Sequence, residues 1–306
     1  MQSIRIGFVS QSRQPDPLRP ELKSSPVWGD IREGVETEAS KHSIISECIV
    51  LNDESVYSDI NSVIDRYEQG SRLGVDVLIG PIAPQSGPAE EKLLNVLLSF
   101  AESGGKIVAV NSGPSEKIKN ALGPSLLGFA GPDEEKMGMV IAEEVFSSLK
   151  ARHVVVMEVV IPDDKPPHRG YRDREKSIIE VALRYGVRSI RILLINADNE
   201  STFSFTPEDG TLIFGLGPIG TIFALKTKKK YPDKIVGIGT MDMDQETRNA
   251  ILSGDIFYSV LQNPREQGAR AVQIAVNAFT SNTTPAYQNL HCKVRVADKN
   301  NANSIK

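Results

Sequence analysis

The chain has 306 residues, about twice the usual length of one domain, so two domains are expected. Hydrophobic residues make up 40% and charged residues 24%, the composition of a globular protein with full cores rather than of a disordered chain. A net charge of −4 supplies no basic stripe for a phosphate backbone, which argues against nucleic acid as a partner of this segment. No apolar run reaches the roughly 18 to 20 residues a membrane span needs, and Met1 opens no basic-then-apolar leader. The chain therefore reads as a cytoplasmic protein, a mature exported protein whose leader has been replaced, or an excised sensor domain.

Short apolar runs alternate with longer amphipathic stretches, the pattern of βαβ units and parallel sheets. The first strand is IRIGFVS (4–10), followed by a loop, 12–26, that holds four prolines. IISECIVL (44–51) is the next strand and contains Cys48, which its apolar run marks as a small core residue rather than half of a disulfide; the other cysteine, Cys292, lies far off in sequence, and the two form no thiol or zinc motif. Strands VDVLIG (75–80), KIVAV (106–110) and LLGFA (126–130) follow, with helices over 88–103 and 133–149 and a turn at Ser112–Gly113–Pro114. Next come strand HVVVMEVV (153–160), a solvated turn around Asp163–Lys165 and a helix over 172–185. Strands IRILLI (190–195), TLIFG (211–215), KIVGIG (234–239) and IFYSVL (256–261) complete the set, with helices over 218–230, 244–253 and 264–279. An extended stretch, 288–296, precedes a tail, 299–306, that reads as frayed.

Several strands are apolar at nearly every position, as in sheets covered on both faces. Ten strands overfill one doubly wound sheet and suit two of about five. A single barrel would need regular β/α units throughout, which the helix-free 288–296 breaks. The expected fold is thus α/β, two Rossmann-like lobes with parallel sheets flanked by helices and a ligand cleft between them. The turn-rich strand ends predict interleaved lobes, 1–111 with 243–281 and 115–241 with 282–300, and hinges near 111–115, 240–243 and 280–284.

Gly215, Gly217 and Gly220 stand in G-x-G-x-x-G spacing between a strand and a helix, with Asp242 after the next strand. That is the dinucleotide-binding fingerprint, in which glycines let backbone approach a pyrophosphate at a helix N-terminus. Pro218 removes a donor where the pyrophosphate would accept one, and none of His42, His153, His168 or His291 neighbours a recognisable acid or nucleophile. A tight turn at a cleft edge is the plainer reading. A nucleophile elbow, a phosphate-loop lysine and an H-E-x-x-H motif are all missing from the sequence, so no enzyme is expected, and neither metal nor nucleotide cofactor.

NSGPSEKIKNALGPSLLGFAGPDEEKMG (111–138) resembles the second-lobe entry of periplasmic sugar-binding proteins of the ribose- and inositol-binding group. The stretch from Gly215 to Val276 is similar to the same group in its order: G-T-x-D, a helix ending I-x-x-G, a strand ending in Gln, then a proline and an x-x-G helix. SPVWGDIREGVETEA (25–39) is like the aromatic-bearing first helix of those proteins. Similar domains serve as effector-binding halves of lac-repressor-like regulators. The resemblance implies a type I periplasmic-binding-protein fold, a sugar or polyol ligand and an extracytoplasmic location, or a cytoplasmic one for a regulator domain. It also implies a membrane permease of the ABC type or a chemoreceptor as partner, and a monomer.

Ligand contacts in an open parallel sheet gather at the carboxyl ends of strands. Ser10 and Gln11 follow the first strand, Asn111 the fourth, Asp242 the ninth and Gln262 the tenth. Planar Asn, Asp, Gln and Arg groups grip neighbouring hydroxyls in pairs, and an aromatic face covers the apolar side of a sugar ring. Trp28 and Gly217 join the candidate set, with Tyr171 beside them. RGYRDREKS offers Arg169, Arg172 and Arg174 for the family's arginine, and Arg172 and Arg174 are the two carried forward. Asp244 is the better N-cap for the helix after it, leaving Asp242 for the ligand. Closure of two lobes around the ligand is the expected mechanism. The competing readings are an effector-binding sensor domain of a regulator or receptor, and a nicotinamide-dependent enzyme using Gly215–Gly220.

Overall fold

A computed structural model describes residues 3–10, 26–51, 60–82, 87–160, 169–196, 204–281 and 286–305. The chain divides into two compact units, Met1–Pro132 with Asn263–Lys293, and Asp133–Gln262 with Val294–Lys306. The first stretch holds β1 (Ile4–Val9), α1 (Pro26–Ala39), β2 (Ile45–Leu51), α2 (Ile60–Arg72), β3 (Val77–Gly80), α3 (Gly87–Glu102), β4 (Lys106–Val110), α4 (Glu116–Leu122) and β5 (Leu126–Gly131). The second stretch holds α5 (Glu134–Ser148), β6 (His153–Val160), α6 (Arg169–Arg184), β7 (Ser189–Asn196) and β8 (Thr211–Gly215). It continues through α7 (Gly217–Lys230), β9 (Ile235–Met241), α8 (Gln245–Ser253) and β10 (Tyr258–Leu261). The chain then adds α9 (Pro264–Thr280) and β11 (Gln288–His291) to the first unit and β12 (Arg295–Ala297) to the second.

Each unit is wound the same way. The first sheet runs β11-β5-β4-β3-β1-β2 and the second β12-β10-β9-β8-β6-β7. Every pairing among the described strands is parallel except β12, which lies antiparallel on β10. In this order the winding reverses between β1 and β3, and between β6 and β8, and such switch points open a crevice at the carboxyl ends of the strands.

The near-continuous apolar runs are explained by burial on both faces. All residues of β3 and β8 are buried. Alternate residues of β3 feed opposite cores: Leu78 packs with Ile64, Leu93 and Phe100, and Val77 and Ile79 pack with Ile31 of α1 and Val272 of α9. In the second unit α5 and α6 bury Ile141, Val145, Ile178 and Val181 against Val154 and Val156 of β6. Helix starts follow local chemistry: Ser115 caps α4, Asp133 caps α5 and Asp244 caps α8.

The chain passes between units at 132/133, 262/263 and 293/294, not near 111–115, 240–243 and 280–284 as expected. Strand pairing is the reason. The turn at Asn111–Gly113 leads through α4 into β5, which pairs with β4 from Ile107↔Leu126 to Val110↔Ala130. Likewise β10 stays on β9, so the chain leaves the second sheet only after Gln262. The segment at 299–305 is not frayed either. Ala302 and Ile305 are buried, and their carbonyl oxygens accept hydrogen bonds from the Arg248 guanidinium of α8. Cys48 is half-buried rather than inside, because β2 is an edge strand, and burial pushes its thiol up to about 11. Cys292 is buried, and both cysteines are free. Asp163–Lys165 and the loop at 12–25 lie outside the described residues.

Candidate functional site

Helix α6 organises a polar cluster at the carboxyl ends of the second sheet. Its buried face is Gly170, Arg174, Ser177, Ile178 and Val181, one stripe of a helix with its apolar end in the core. That phase brings Arg174 inside, at 5% exposure, and leaves Arg172 exposed. The Arg169 side chain lies outside the described residues. Helix α5 approaches so closely that a Cβ on Gly138 would stand 2.3 Å from the Arg174 carbonyl oxygen. The same helix brings Glu134 into its first turn, and Arg174 Nε donates to Glu134 Oε2. The Arg174 guanidinium also lies 5.5 Å from the centre of the Tyr171 ring. Burial disfavours the charge of Arg174, but Glu134, and then Asp242, outweigh it and hold the guanidinium firmly protonated.

Asp242 is held at the end of β9 in the left-handed region, φ 66°. Its amide donates to Val260 O at 2.8 Å, and its carbonyl accepts from Ser259 Oγ at 2.6 Å. Gln262 Nε2 donates to Asp242 Oδ1 at 2.7 Å. Asp244 caps α8 by accepting from the Thr247 amide at 2.7 Å, as expected. The second unit thus gathers Arg174, Glu134, Asp242 and Gln262, two carboxylates with a guanidinium and a carboxamide, beside the half-buried Tyr171 ring. Such paired donors and acceptors suit vicinal hydroxyls, which both donate and accept. Glu134 escaped the sequence reading because an acid in the first turn of a helix is ordinarily a partner of the helix dipole.

Gly217 opens α7 in the left-handed region, φ 70°. A Cβ there would come 2.6 Å from Tyr171 Oη, and one on Gly220 2.5 Å from Met157 O. The three glycines therefore serve a tight turn against β6, and the Tyr171 hydroxyl fills the space over the second glycine where a pyrophosphate would approach. The arrangement does not fit a dinucleotide.

In the first unit, Asn111 also adopts the left-handed region, φ 63°, and its amide donates to Ala130 O at 3.0 Å. Its Nδ2 donates to Oε1 of the fully buried Gln267 of α9 at 3.1 Å. Gln267 was missed by sequence reasoning, although it directly precedes the Gly268 of the quoted x-x-G helix. Ser10 is buried, and its carbonyl accepts from Arg66 Nη1 at 2.6 Å. Trp28 is 4% exposed, packed in the core with its ring centre 6.4 Å from that of Phe8. Gln11 lies outside the described residues.

Residues 19–283 match the family model described as a periplasmic binding protein domain. The chain belongs to that family. Among curated proteins none matches the sequence. Solved structures of similar fold include a sugar ABC transport substrate-binding protein from Bordetella parapertussis (TM-score 0.74, 16% identity, covering 99% of this chain and 92% of that one). A putative LacI transcriptional regulator from Bacteroides fragilis is similar at TM-score 0.73 and 13% identity, over 100% of both chains. A carbohydrate transporter from Acidothermus cellulolyticus, in complex with myo-inositol, is similar at 0.68 and 16%, covering 99% of this chain and 96% of that one. The two-sheet α/β architecture of this periplasmic binding protein domain is the fold these structures share. Among the described residues no helix is long and apolar enough to cross a membrane.

Proposed function

We propose that this domain is a non-enzymatic solute-binding protein that captures a small sugar or polyol and presents it to an ABC-type transporter or a chemoreceptor outside the cytoplasm. The observation that carries the reading is the cluster of Arg174, Glu134, Asp242 and Gln262 beside Tyr171 at the strand ends of the second unit. Charged, directional groups of this kind pair with hydroxyls in a way that apolar ligands cannot use. Asn111 and Ser10 at the strand ends of the first unit supply further contacts in this proposal, and ligand-induced closure of the two lobes belongs to it. The sugar-transport and myo-inositol descriptions of the similar structures agree with it. A thermal-shift screen of pentoses, hexoses and inositols tests it, because a ligand that binds only the folded state raises its apparent stability. At least one polyol should raise the midpoint in a saturable way. Silence across the screen, or saturable binding of NAD(H) instead, would sink it.

A second reading is favoured by the likeness to the Bacteroides fragilis regulator over the whole of both chains: an effector-binding domain of a regulator. Permease and ATPase genes beside this one would support the transport role, and a DNA-binding segment joined to this chain would support the regulator.

A further inference from the structure

Glu158 stands at the carboxyl end of β6, the strand that borders the switch point of the second sheet. It is 0% exposed, and neither of its carboxyl oxygens makes a hydrogen bond of ordinary geometry to a described residue, although the carboxyl of Glu175 interacts with it. A charged carboxylate is rarely left so, since burial without partners penalises the ion far more than the neutral acid. Its face of β6 is the one α6 covers, with Val154 and Val156 behind it. Glu175 and Arg172 reach it from α6, and Leu194 lies beside it on β7. On the other side β8 runs into the apolar Leu216, whose amide donates to Met157 O. Glu134 of α5 and Arg174 of α6 are engaged with each other. Among the described residues a second carboxylate, Glu175, therefore faces Glu158, with the exposed Arg172 as the opposing charge.

We propose that Glu158 is a positioning residue: as a neutral acid it seats the first turns of α6, which carry Tyr171 and Arg174, and as a carboxylate it loosens them. Burial foremost, then the charge of Glu175, raise this carboxyl to about 7 against the opposing pull of Arg172, so the change falls near neutral pH. The sign follows from linkage. The unfolded chain releases this proton near the ordinary 4.5, and the folded chain keeps it until about 7. The contribution of Glu158 to stability is full below 4.5 and lost as pH rises through 7. Resting on the proposed polyol-binding function, loss of the same proton makes ligand capture weaker at alkaline pH, because Arg174 belongs to the binding cluster.

Amide hydrogen exchange of α6 in the ligand-free protein tests the seating without any ligand. Between about pH 6 and about pH 8, after correction for intrinsic rates, protection of α6 should fall in the wild type and stay level in Glu158→Gln, whose amide is neutral throughout. Glu175→Gln, a half-buried position, should shift the loss to lower pH, since it removes the charge that raises Glu158. Equal, pH-independent protection in all three proteins would overturn the proposal, as would parallel pH dependence in wild type and Glu158→Gln. Titration of myo-inositol, ribose and xylose into the same proteins separates the two readings. Wild-type affinity should fall about tenfold over that range and Glu158→Gln affinity should not. Absence of binding in every protein would remove the polyol reading and leave the exchange result to judge Glu158 alone.

Discussion

Asp242 is the residue of the proposed site whose surroundings are most closely set. Its backbone is tied to β10 through Val260 and Ser259, its Oδ1 takes the Gln262 amide, and its neighbour Asp244 does the capping. Asp242→Ala should weaken polyol binding by roughly 2 to 4 kcal/mol, because hydroxyls lose a charged acceptor in a desolvated site. Calorimetric affinity near the wild-type value would remove Asp242 from the site. Residues of this kind were legible in sequence because they directly follow strands. Arg174 was legible only in part. RGYRDREKS contains three arginines, and the choice between them needs the phase of α6, which the downstream Ile178 and Val181 set. Gln267 and Glu134 were not legible, since each matters through a partner, Asn111 or Arg174, that is distant in sequence.

At the scale of elements, close contact of α5 and α6 fixes where Arg174 stands. Gly138→Ala places a methyl against the Arg174 backbone, so the helices must separate, at a cost of about 1 to 3 kcal/mol. The control is Gly29→Ala on α1, where an added Cβ meets nothing within 4 Å and a better helix former stabilises by about 1 kcal/mol. Thermal unfolding should therefore move in opposite directions for the two variants, and equal shifts would refute the close-contact argument. The strands and helices that the sequence named were readable to within a few residues, β6 and β8 with the expected bounds, while α2 and α4 went unnamed. The sheets in which β5, β10 and β11 lie were not. β5 and β10 have the same apolar character whichever strand they pair with, so local pattern cannot place the crossings at 132/133 and 262/263.

At the scale of the whole molecule, the chain carries the same sheet winding twice, and the groups of the proposed site are side chains alone. Among the described residues no set of three or more acidic, histidine or cysteine side chains is placed to hold a metal ion. Polyol affinity should therefore be unchanged by a chelator and by added NAD(H). Loss of binding in chelator, restored by a divalent ion, would show that a metal takes part. Seen in the order of synthesis, the interleaved units impose a delay. Helix α1 and helix α9 cover the same face of the first sheet, yet the whole of the stretch 133–262 lies between them in sequence. A chain emerging amino end first exposes Ile31 and Val35 with nothing from α9 to cover them until most of the second unit has been made. Neither unit can finish alone as a contiguous segment. Chaperones therefore have a long interval in which to hold the nascent chain, and a protease has the same interval in which to cut it.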